Sequence, residues 1–286
     1  MNVERITATL ADVTKHQWRD SRVANRIKAA IEKHKRDAVT RDDQSTAKWL
    51  WCLETILYIQ QEYLRTFEEL QGGHYHKAWC TLEKVEIACG FLDRHFHSED
   101  DRYKTDFIVR HTERYQTLYP YHLFYSPALL KKKVKCSICG SILSIRNPCG
   151  HMKGEIYNGE LCSREVVEFD VLEVSLVTNP VQKYSVLFTK GNNGGPVDHY
   201  DYTLVRYVVK GLRTPFDPWD ISWTRIRHPH SLYSHVASSD PCPCGSGKCY
   251  ADCCLQEEGV LRPHARVHFS IPPPEDLPPF IYSRTR

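Results

Sequence analysis

The sequence has no run of about eighteen apolar residues and no apolar signal at its N-terminus. Because a membrane-spanning helix needs about 20 mostly apolar residues, we expect no membrane span and no secretion. The formal net charge is only +3, from 38 basic and 35 acidic side chains, which neither requires nor excludes a nucleic acid partner. Together with 12 cysteines, these absences predict a cytoplasmic protein in a reducing compartment.

Familiar catalytic motifs are also missing. The glycine-rich segment 190–196 lacks the Gly-Lys-Ser/Thr end of a phosphate-binding loop, and no His-Glu-x-x-His sequence is present. Two His-x-His pairs flank a predicted helix rather than sharing one of its faces. We interpret the histidines and acidic residues of this region as solvated or helix-terminal side chains, and we assign no catalytic residue and no organic cofactor. The residues concerned are His74, His76, Glu83, Glu86, His95, His97 and 99–101.

Cysteine is the residue type that the sequence has in unusual number and arrangement. Nine of the 12 fall in two clusters, one from Cys136 to Cys162 and one from Cys242 to Cys254. The other three, Cys52, Cys80 and Cys89, lie on helical patterns, and we interpret them as small buried apolar residues. Clustered thiols in a reducing compartment indicate metal binding.

The C-terminal cluster consists of Cys242, Cys244, Cys253 and Cys254, a Cys-x-Cys pair and a Cys-Cys pair separated by eight residues. Four thiolates from two short segments suit a tetrahedral Zn²⁺ site. The Gly-Ser-Gly sequence between the pairs lets the backbone fold back. Because so short a segment has almost no core, metal binding would supply most of its folding free energy.

This segment resembles the SEC-C motif, a small zinc module found at the C-terminus of the bacterial preprotein-translocase ATPase and in many other bacterial proteins. Cys249 stands where the motif has a second lysine, so we do not expect it to be a ligand. In the family the module recruits a chaperone or the ribosome, so the resemblance implies a bacterial protein with a protein partner. We expect Lys248 and Tyr250 to be exposed and to contact that partner. The matching residues are Cys242, Pro243, Cys244, Gly245, Ser246, Gly247, Lys248, Tyr250, Cys253 and Cys254.

The central cluster offers five ligands, Cys136, Cys139, Cys149, His151 and Cys162, for one four-coordinate metal. Its Cys-x-x-Cys-Gly sequence is typical of a zinc knuckle. Which of Cys149, His151 and Cys162 is not a ligand stays open. Because five ligands leave no position for water, we favour a structural zinc over a catalytic one, and we expect two zinc ions per chain.

We predict an α+β protein with four parts. Apolar residues at helical spacing predict a helical bundle in residues 1–130, in which Ser45 caps the third helix. Residues 131–235 are predicted to form a zinc-binding α+β domain with a zinc-ribbon-like β region, in which the strand 166–177 pairs with 183–188. A SEC-C-like zinc module at 236–262 and a proline-rich tail at 263–286 complete the chain.

Residues 172–180 resemble the closing strand of phage head-maturation proteases, where the family has Glu-Val-Ser-Leu-Val followed by a proline. Those serine proteases place their nucleophile and histidine in strands upstream of that stretch. In this chain a cysteine cluster and predicted helices occupy the upstream region. We therefore interpret Ser175 as a strand residue without a catalytic role.

Two classes of function are compatible with these patterns. We favour a zinc-binding protein without enzymatic activity, which recognises or recruits another macromolecule through its metal-stabilised modules. The alternative is a metal-dependent hydrolase, a nuclease or protease, with its site in the central cluster or the helical bundle. A nucleic acid could also contact the basic stretch 19–36, which contains Arg19, Arg22, Arg26, Lys28, Lys33, Lys35 and Arg36.

Overall fold

The computed structural model confirms a mixed helix and strand protein. The described residues form six α-helices and four antiparallel two-stranded sheets. The chain divides into two compact units, Met1–Tyr200 and Asp201–Arg286. The structure describes residues 1–15, 21–146, 148–191, 194–274 and 277.

Five helices make up the N-terminal part of the first unit, as the apolar periodicity predicts. The third helix contacts each of the other four. Its apolar residues are buried around most of its circumference, so it forms the centre of the core. The helices are α1 (Val3–Ala11), α2 (Ser21–Thr40), α3 (Gln44–Gln71), α4 (Tyr75–Leu92) and α5 (Thr105–Leu118).

The N-cap of α3 is Asp43, so the prediction of Ser45 as the cap is wrong by two residues. The Oδ1 atom of Asp43 accepts hydrogen bonds from the Thr46 backbone N–H at 3.0 Å and from the Ser45 hydroxyl at 2.8 Å. Hydrogen bonds from Thr46 and Ser45 lower the pKa of Asp43 to about 2. A carboxylate is preferred here because it accepts the first free N–H groups and interacts favourably with the helix dipole.

A buried amide joins α3 to its neighbours. Gln60 is fully buried, and its side-chain nitrogen donates to the carbonyl oxygens of Leu10 and Tyr103, both at 2.9 Å. Two backbone carbonyls that the core would otherwise leave without a partner are thus satisfied. This contact holds α1 and the loop before α5 against the central helix.

The long strands of the first unit are β1 (Phe124–Cys136) and β4 (Arg164–Val177), which pair with each other. The predicted pairing of β4 with 183–188 is therefore wrong. Val186 in that segment forms only an isolated bridge with Phe124. Ser175 lies within β4, as expected for a strand residue.

Charge explains this choice of partner. The basic end of β1 lies beside the acidic end of β4, and three ion pairs connect them. The pairs are Lys132–Asp170 at 2.6 Å, Lys133–Glu168 at 2.5 Å and Lys135–Glu165 at 2.9 Å. Opposite charges across an antiparallel pair stabilise that register. The other sheets of this unit are short: β2 (Ile156–Tyr157) pairs with β3 (Glu160–Leu161), and β5 (Thr189–Lys190) with β6 (Pro196–Val197).

The second unit contains α6 (Thr203–Lys210) and a ribbon formed by β7 (Trp219–His228) and β8 (Val260–Phe269). The two strands pair without a register shift. The C-terminal cysteine cluster lies in the connection between them, so both ends of that connection are held by the ribbon.

The predicted domain limits can be placed on these elements. The limit at 130/131 lies within β1 and the limit at 262/263 lies within β8, whose residues 263–269 were assigned to the tail. Residues 275, 276 and 278–286 of the predicted tail lie outside the described residues. In the described part of the chain, no helix has the length and apolar character needed to cross a membrane.

Candidate metal centres

The four thiols of the C-terminal cluster converge. The sulfurs of Cys242, Cys244, Cys253 and Cys254 all lie within 4.8 Å of one another. The Cys244 and Cys253 sulfurs are 3.6 Å apart, and those of Cys253 and Cys254 are 4.0 Å apart. Four sulfurs about 2.3 Å from one tetrahedral ion are separated by about 3.8 Å, so this group could hold a metal.

The backbone of the first cysteine pair is shaped by a tight turn. The Cys242 N–H donates to the Lys248 carbonyl at 2.8 Å, and the Gly245 N–H donates to the Cys242 carbonyl at 3.0 Å. Gly245 and Gly247 both have a φ of +77°, in the left-handed region that favours glycine. The Gly-Ser-Gly sequence thus allows the return of the chain that was predicted.

A small core supports this turn. It consists of Cys242, Tyr250, Cys254 and Val260, with a few partly buried neighbours. Tyr250 is only 3% exposed, and its hydroxyl lies 2.6 Å from the Nδ1 atom of His230. The expectation that Tyr250 offers an exposed contact for a partner is therefore wrong, because the matching position serves the module's own core.

Two residues of the same turn face solvent. Lys248 is exposed, and Cys249 is exposed and lies outside the four-thiol group. Cys249 therefore occupies the position expected of a residue between ligands rather than of a ligand. Lys248 is the side chain of the motif that remains available for contact with another molecule.

The pKa values of two thiols in this cluster are shifted in opposite directions. Burial raises the pKa of Cys254 to about 12. Burial also acts to raise the pKa of Cys244, but hydrogen bonds, chiefly from the Ser246 hydroxyl, outweigh it and lower that pKa to about 6. Four thiolates so close together repel one another, so the fully ionised set requires a bound cation.

The structure also brings the central cluster together. Cys136 ends β1, Cys139 follows in a turn, and Cys149 and His151 lie in the next loop. The ligand atoms of these four residues all lie within 4.8 Å of one another. The sulfur of Cys162, which lies between β3 and β4, is 3.8 Å from that of Cys136. All five predicted ligands therefore meet at one place, and four of them form a group that could hold a metal.

The first cysteine pair of this cluster forms a knuckle. The Gly140 N–H donates to the Cys136 carbonyl at 2.9 Å, and Gly140 has a φ of +70°. Burial acts to raise the pKa of Cys136, but hydrogen bonds from the backbone N–H groups of Cys139 and Ile138 outweigh it and lower that pKa to about 6. Backbone donors directed at sulfur stabilise the thiolate, which is the form that binds metal.

His151 and Cys162 differ in their surroundings. The Nδ1 atom of His151 is buried and has no hydrogen-bond partner. A metal ion in the cluster would give the ring a partner, as buried polar groups require. Cys162 lies outside the group whose ligand atoms are all within 4.8 Å of one another. Its sulfur accepts a hydrogen bond from the Arg164 guanidinium at 3.5 Å, and burial raises the pKa of this thiol. The donor set of Cys136, Cys139, Cys149 and His151 therefore fits a metal, with Cys162 beside it.

One residue that supports this cluster was assigned another role from the sequence. Lys35 in α2 was grouped with basic side chains that could contact phosphate, but it is buried. Its ammonium donates to Glu54 at 2.7 Å, to Glu160 at 2.9 Å and to the Gly159 carbonyl at 3.0 Å. Burial acts to lower the pKa of Lys35, but the bonds to the two carboxylates outweigh it and raise that pKa. Lys35 therefore ties α2 to the β2–β3 turn between the ligands.

The remaining basic residues of the stretch 19–36 have a different environment. Arg19 lies outside the described residues. Five basic side chains of this stretch are exposed on α2, so their exposure is compatible with the predicted contact with phosphate. They are Arg22, Arg26, Lys28, Lys33 and Arg36.

The histidines and acidic residues of the helical region do not converge on one site in the described residues. Several of them bind other segments of the first unit instead. The Glu83 carboxylate accepts the backbone N–H groups of Lys183 and Tyr184 at 2.5 and 2.9 Å. Glu86 pairs with the Lys183 ammonium at 2.6 Å, and the His95 Nε2 atom lies 2.8 Å from the Gly154 carbonyl. Among the described residues, the two cysteine clusters alone bring together three or more metal-ligating side chains.

Two of the three cysteines outside the clusters are buried, as the sequence predicts. Cys52 and Cys89 are buried, and Cys80 is half-buried. Burial raises the pKa of Cys52 to about 11 and that of Cys89 to about 12. These thiols are therefore neutral, apolar parts of the helical core.

The family model of the SEC-C motif matches residues 239–256 of this chain. This match includes all four candidate ligands of the C-terminal cluster and confirms the resemblance drawn from the sequence. The rest of the chain has no family assignment. The description of the central cluster and of the helices is therefore based on the structure alone. Searches among curated proteins and among solved structures found no match.

Proposed function

We propose that this chain is a zinc-binding protein of the bacterial cytoplasm that recognises or recruits another macromolecule through metal-stabilised modules. The single observation that carries the proposal is the pair of four-ligand clusters, each with ligand atoms within 4.8 Å of one another. Both sets are complete without a water molecule, which is typical of structural zinc sites.

Zinc is the metal that the donor atoms favour. Thiolate and imidazole are ligands of zinc in structural sites, whereas carboxylate and carbonyl oxygens suit calcium or magnesium. The SEC-C match, which covers the C-terminal ligands, supports the same metal. We expect two zinc ions per chain, and metal analysis of the purified protein tests that number.

The two sites would act as local cross-links. The central ion would join the end of β1 to the following loop beside the start of β4, in a zinc-ribbon-like arrangement supported by the N-terminal helical bundle. The C-terminal ion would close the connection between β7 and β8. Surfaces that are stiffened in this way lose little conformational entropy when a partner binds, which favours recognition.

The SEC-C match supports a protein partner, such as a chaperone, the ribosome or another protein. The exposed Lys248 at the tip of the module is the side chain that we expect to contact it. The exposed basic residues of α2 are the corresponding candidates for a nucleic acid. No arrangement of three protein ligands with an open position favours the metal-dependent hydrolase in the described residues.

The test is affinity purification of the tagged full chain from its native host, with and without nuclease treatment. We compare Lys248→Glu with Lys33→Glu, which makes the same charge change on an exposed residue of α2. We expect a protein partner that survives nuclease treatment, remains with Lys33→Glu and is lost with Lys248→Glu.

Two results would contradict this assignment. Equal recovery of the partner with both variants would remove the SEC-C module from its recognition. Loss of the partner with nuclease and with Lys33→Glu would assign recognition to α2 and nucleic acid instead.

A further inference from the structure

The ribbon formed by β1 and β4 has one apolar and exposed face. Residues on β1 alternate between the two faces, and the partners that the register places opposite them share the same face. One face therefore carries the side chains of Tyr125, Leu129, Phe169, Val171, Val174 and Leu176, here called the apolar face. Each of these side chains is between 38% and 59% exposed.

The opposite face of the same ribbon has a different character. It carries Ser126, Ser175, Glu173 and Asp170 together with the exposed Leu130. The ion pairs Lys132–Asp170 and Lys133–Glu168 lie on the same ribbon. These charges are satisfied within the ribbon and need no partner. In the stretch from Tyr125 to Lys131, the single charge of the apolar face is Lys131, at one end.

Such a surface is unusual on an isolated chain. Six side chains of this size at about half exposure present on the order of 600 Å², which is the upper end of apolar patches on monomers. The nearly uncharged surface excludes a partner that binds by charge complementarity. Its chemistry instead matches the interfaces of homodimers, which are more apolar than other interfaces.

We propose that the apolar face is the interface between two copies of this chain. Two copies that pack face to face would bury on the order of 1,200 Å² in total, which reaches the size of a stable interface. A twofold interface uses the same surface on both copies, so a single apolar face is sufficient to form it. In an antiparallel arrangement the two Lys131 side chains lie at opposite ends of the interface and do not meet.

The test compares two neighbouring substitutions that point to opposite faces. Val174→Lys places an ammonium group in the apolar face of both copies, whereas Ser175→Lys places it on the charged face beside Glu173. We measure the mass of the full, zinc-loaded chain by light scattering and sedimentation equilibrium over a series of concentrations. We expect a wild-type dimer, an unchanged dimer with Ser175→Lys, and dimerisation that is at least about tenfold weaker with Val174→Lys.

Folding is checked separately, because an unfolded variant would also lose the dimer. Circular dichroism and zinc content should be the same for all three proteins, since Val174 is already 59% exposed. Phe169→Lys is a second variant of the apolar face and should also weaken the dimer. A wild-type chain that stays monomeric at every concentration would overturn the proposal. A dimer that resists both apolar-face variants, or that Ser175→Lys also dissociates, would overturn it too.

Discussion

Replacing Cys244 by serine should unfold the C-terminal module while the rest of the chain stays folded. Ordering the about 15 residues of the cysteine segment costs about 22 kcal/mol, at about 1.5 kcal/mol each. Its small core of Cys242, Tyr250, Cys254 and Val260 contributes about 8 kcal/mol, at about 2 kcal/mol for each buried side chain. Zinc coordination contributes about 10–16 kcal/mol, which closes the balance. Without the metal, the core alone falls short by about 14 kcal/mol.

The assay combines metal analysis with hydrogen exchange. We expect Cys244→Ser to bind one zinc ion instead of two and to lose exchange protection at the Cys242 and Gly245 amides, which are hydrogen-bonded in the turn. Cys249→Ser is the matched control, because the same atom is replaced at an exposed thiol outside the four-ligand group. This control should keep both ions and full protection.

The reasoning would be refuted if Cys244→Ser kept its second metal and its protected amides. That result would mean that the four sulfurs do not act together as one site. Loss of metal with retained protection would show instead that packing alone holds the turn, contrary to the free-energy balance above.

Two further predictions concern the first unit. His151→Ala should remove the central zinc ion while Cys162→Ala retains it, measured as metal content per chain. The reason is that His151 belongs to the group whose ligand atoms all lie within 4.8 Å of one another and has a buried ring nitrogen without a partner, whereas Cys162 lies outside that group. Lys35→Ala should lower the free energy of unfolding by about 1–2 kcal/mol in denaturant titrations, because Glu54 loses a hydrogen-bonded cation while Glu160 is largely exposed to water. The exposed control Lys33→Ala should change little. Since the pKa of Lys35 is raised above the ordinary 10.5, its contribution is complete below that pH and is lost as the pH rises through the raised value.

Each of these predictions has an outcome that contradicts it. If His151→Ala kept the central zinc and Cys162→Ala lost it, then Cys162 would be the ligand and His151 the neighbouring residue. If Lys35→Ala and Lys33→Ala had the same free energy of unfolding, the buried ammonium of Lys35 would make no net contribution to the stability of the first unit.

The sequence was sufficient where a structure depends on local spacing. The apolar period predicted helices in residues 1–130, and the five helices α1 to α5 lie there. The spacing of cysteine and histidine identified all eight residues of the two groups that could hold a metal, and Cys162 lies beside one of them. Spacing was sufficient because turns between such residues are short and allow few geometries. The SEC-C segment was recognised for the same reason.

Tertiary structure decided whatever depends on partners that are distant in sequence. β4 pairs with β1, about 40 residues earlier, rather than with the next strand-like segment, because the ion pairs between them form only when the two segments meet. From the sequence, Lys35 and Tyr250 were grouped with exposed recognition residues, yet both are buried. Lys35 is held by Glu54 and the β2–β3 turn, and Tyr250 packs with the module's cysteines and Val260. Local spacing thus determined which residues can bind metal, while long-range packing determined which charges and rings stay free to meet another molecule.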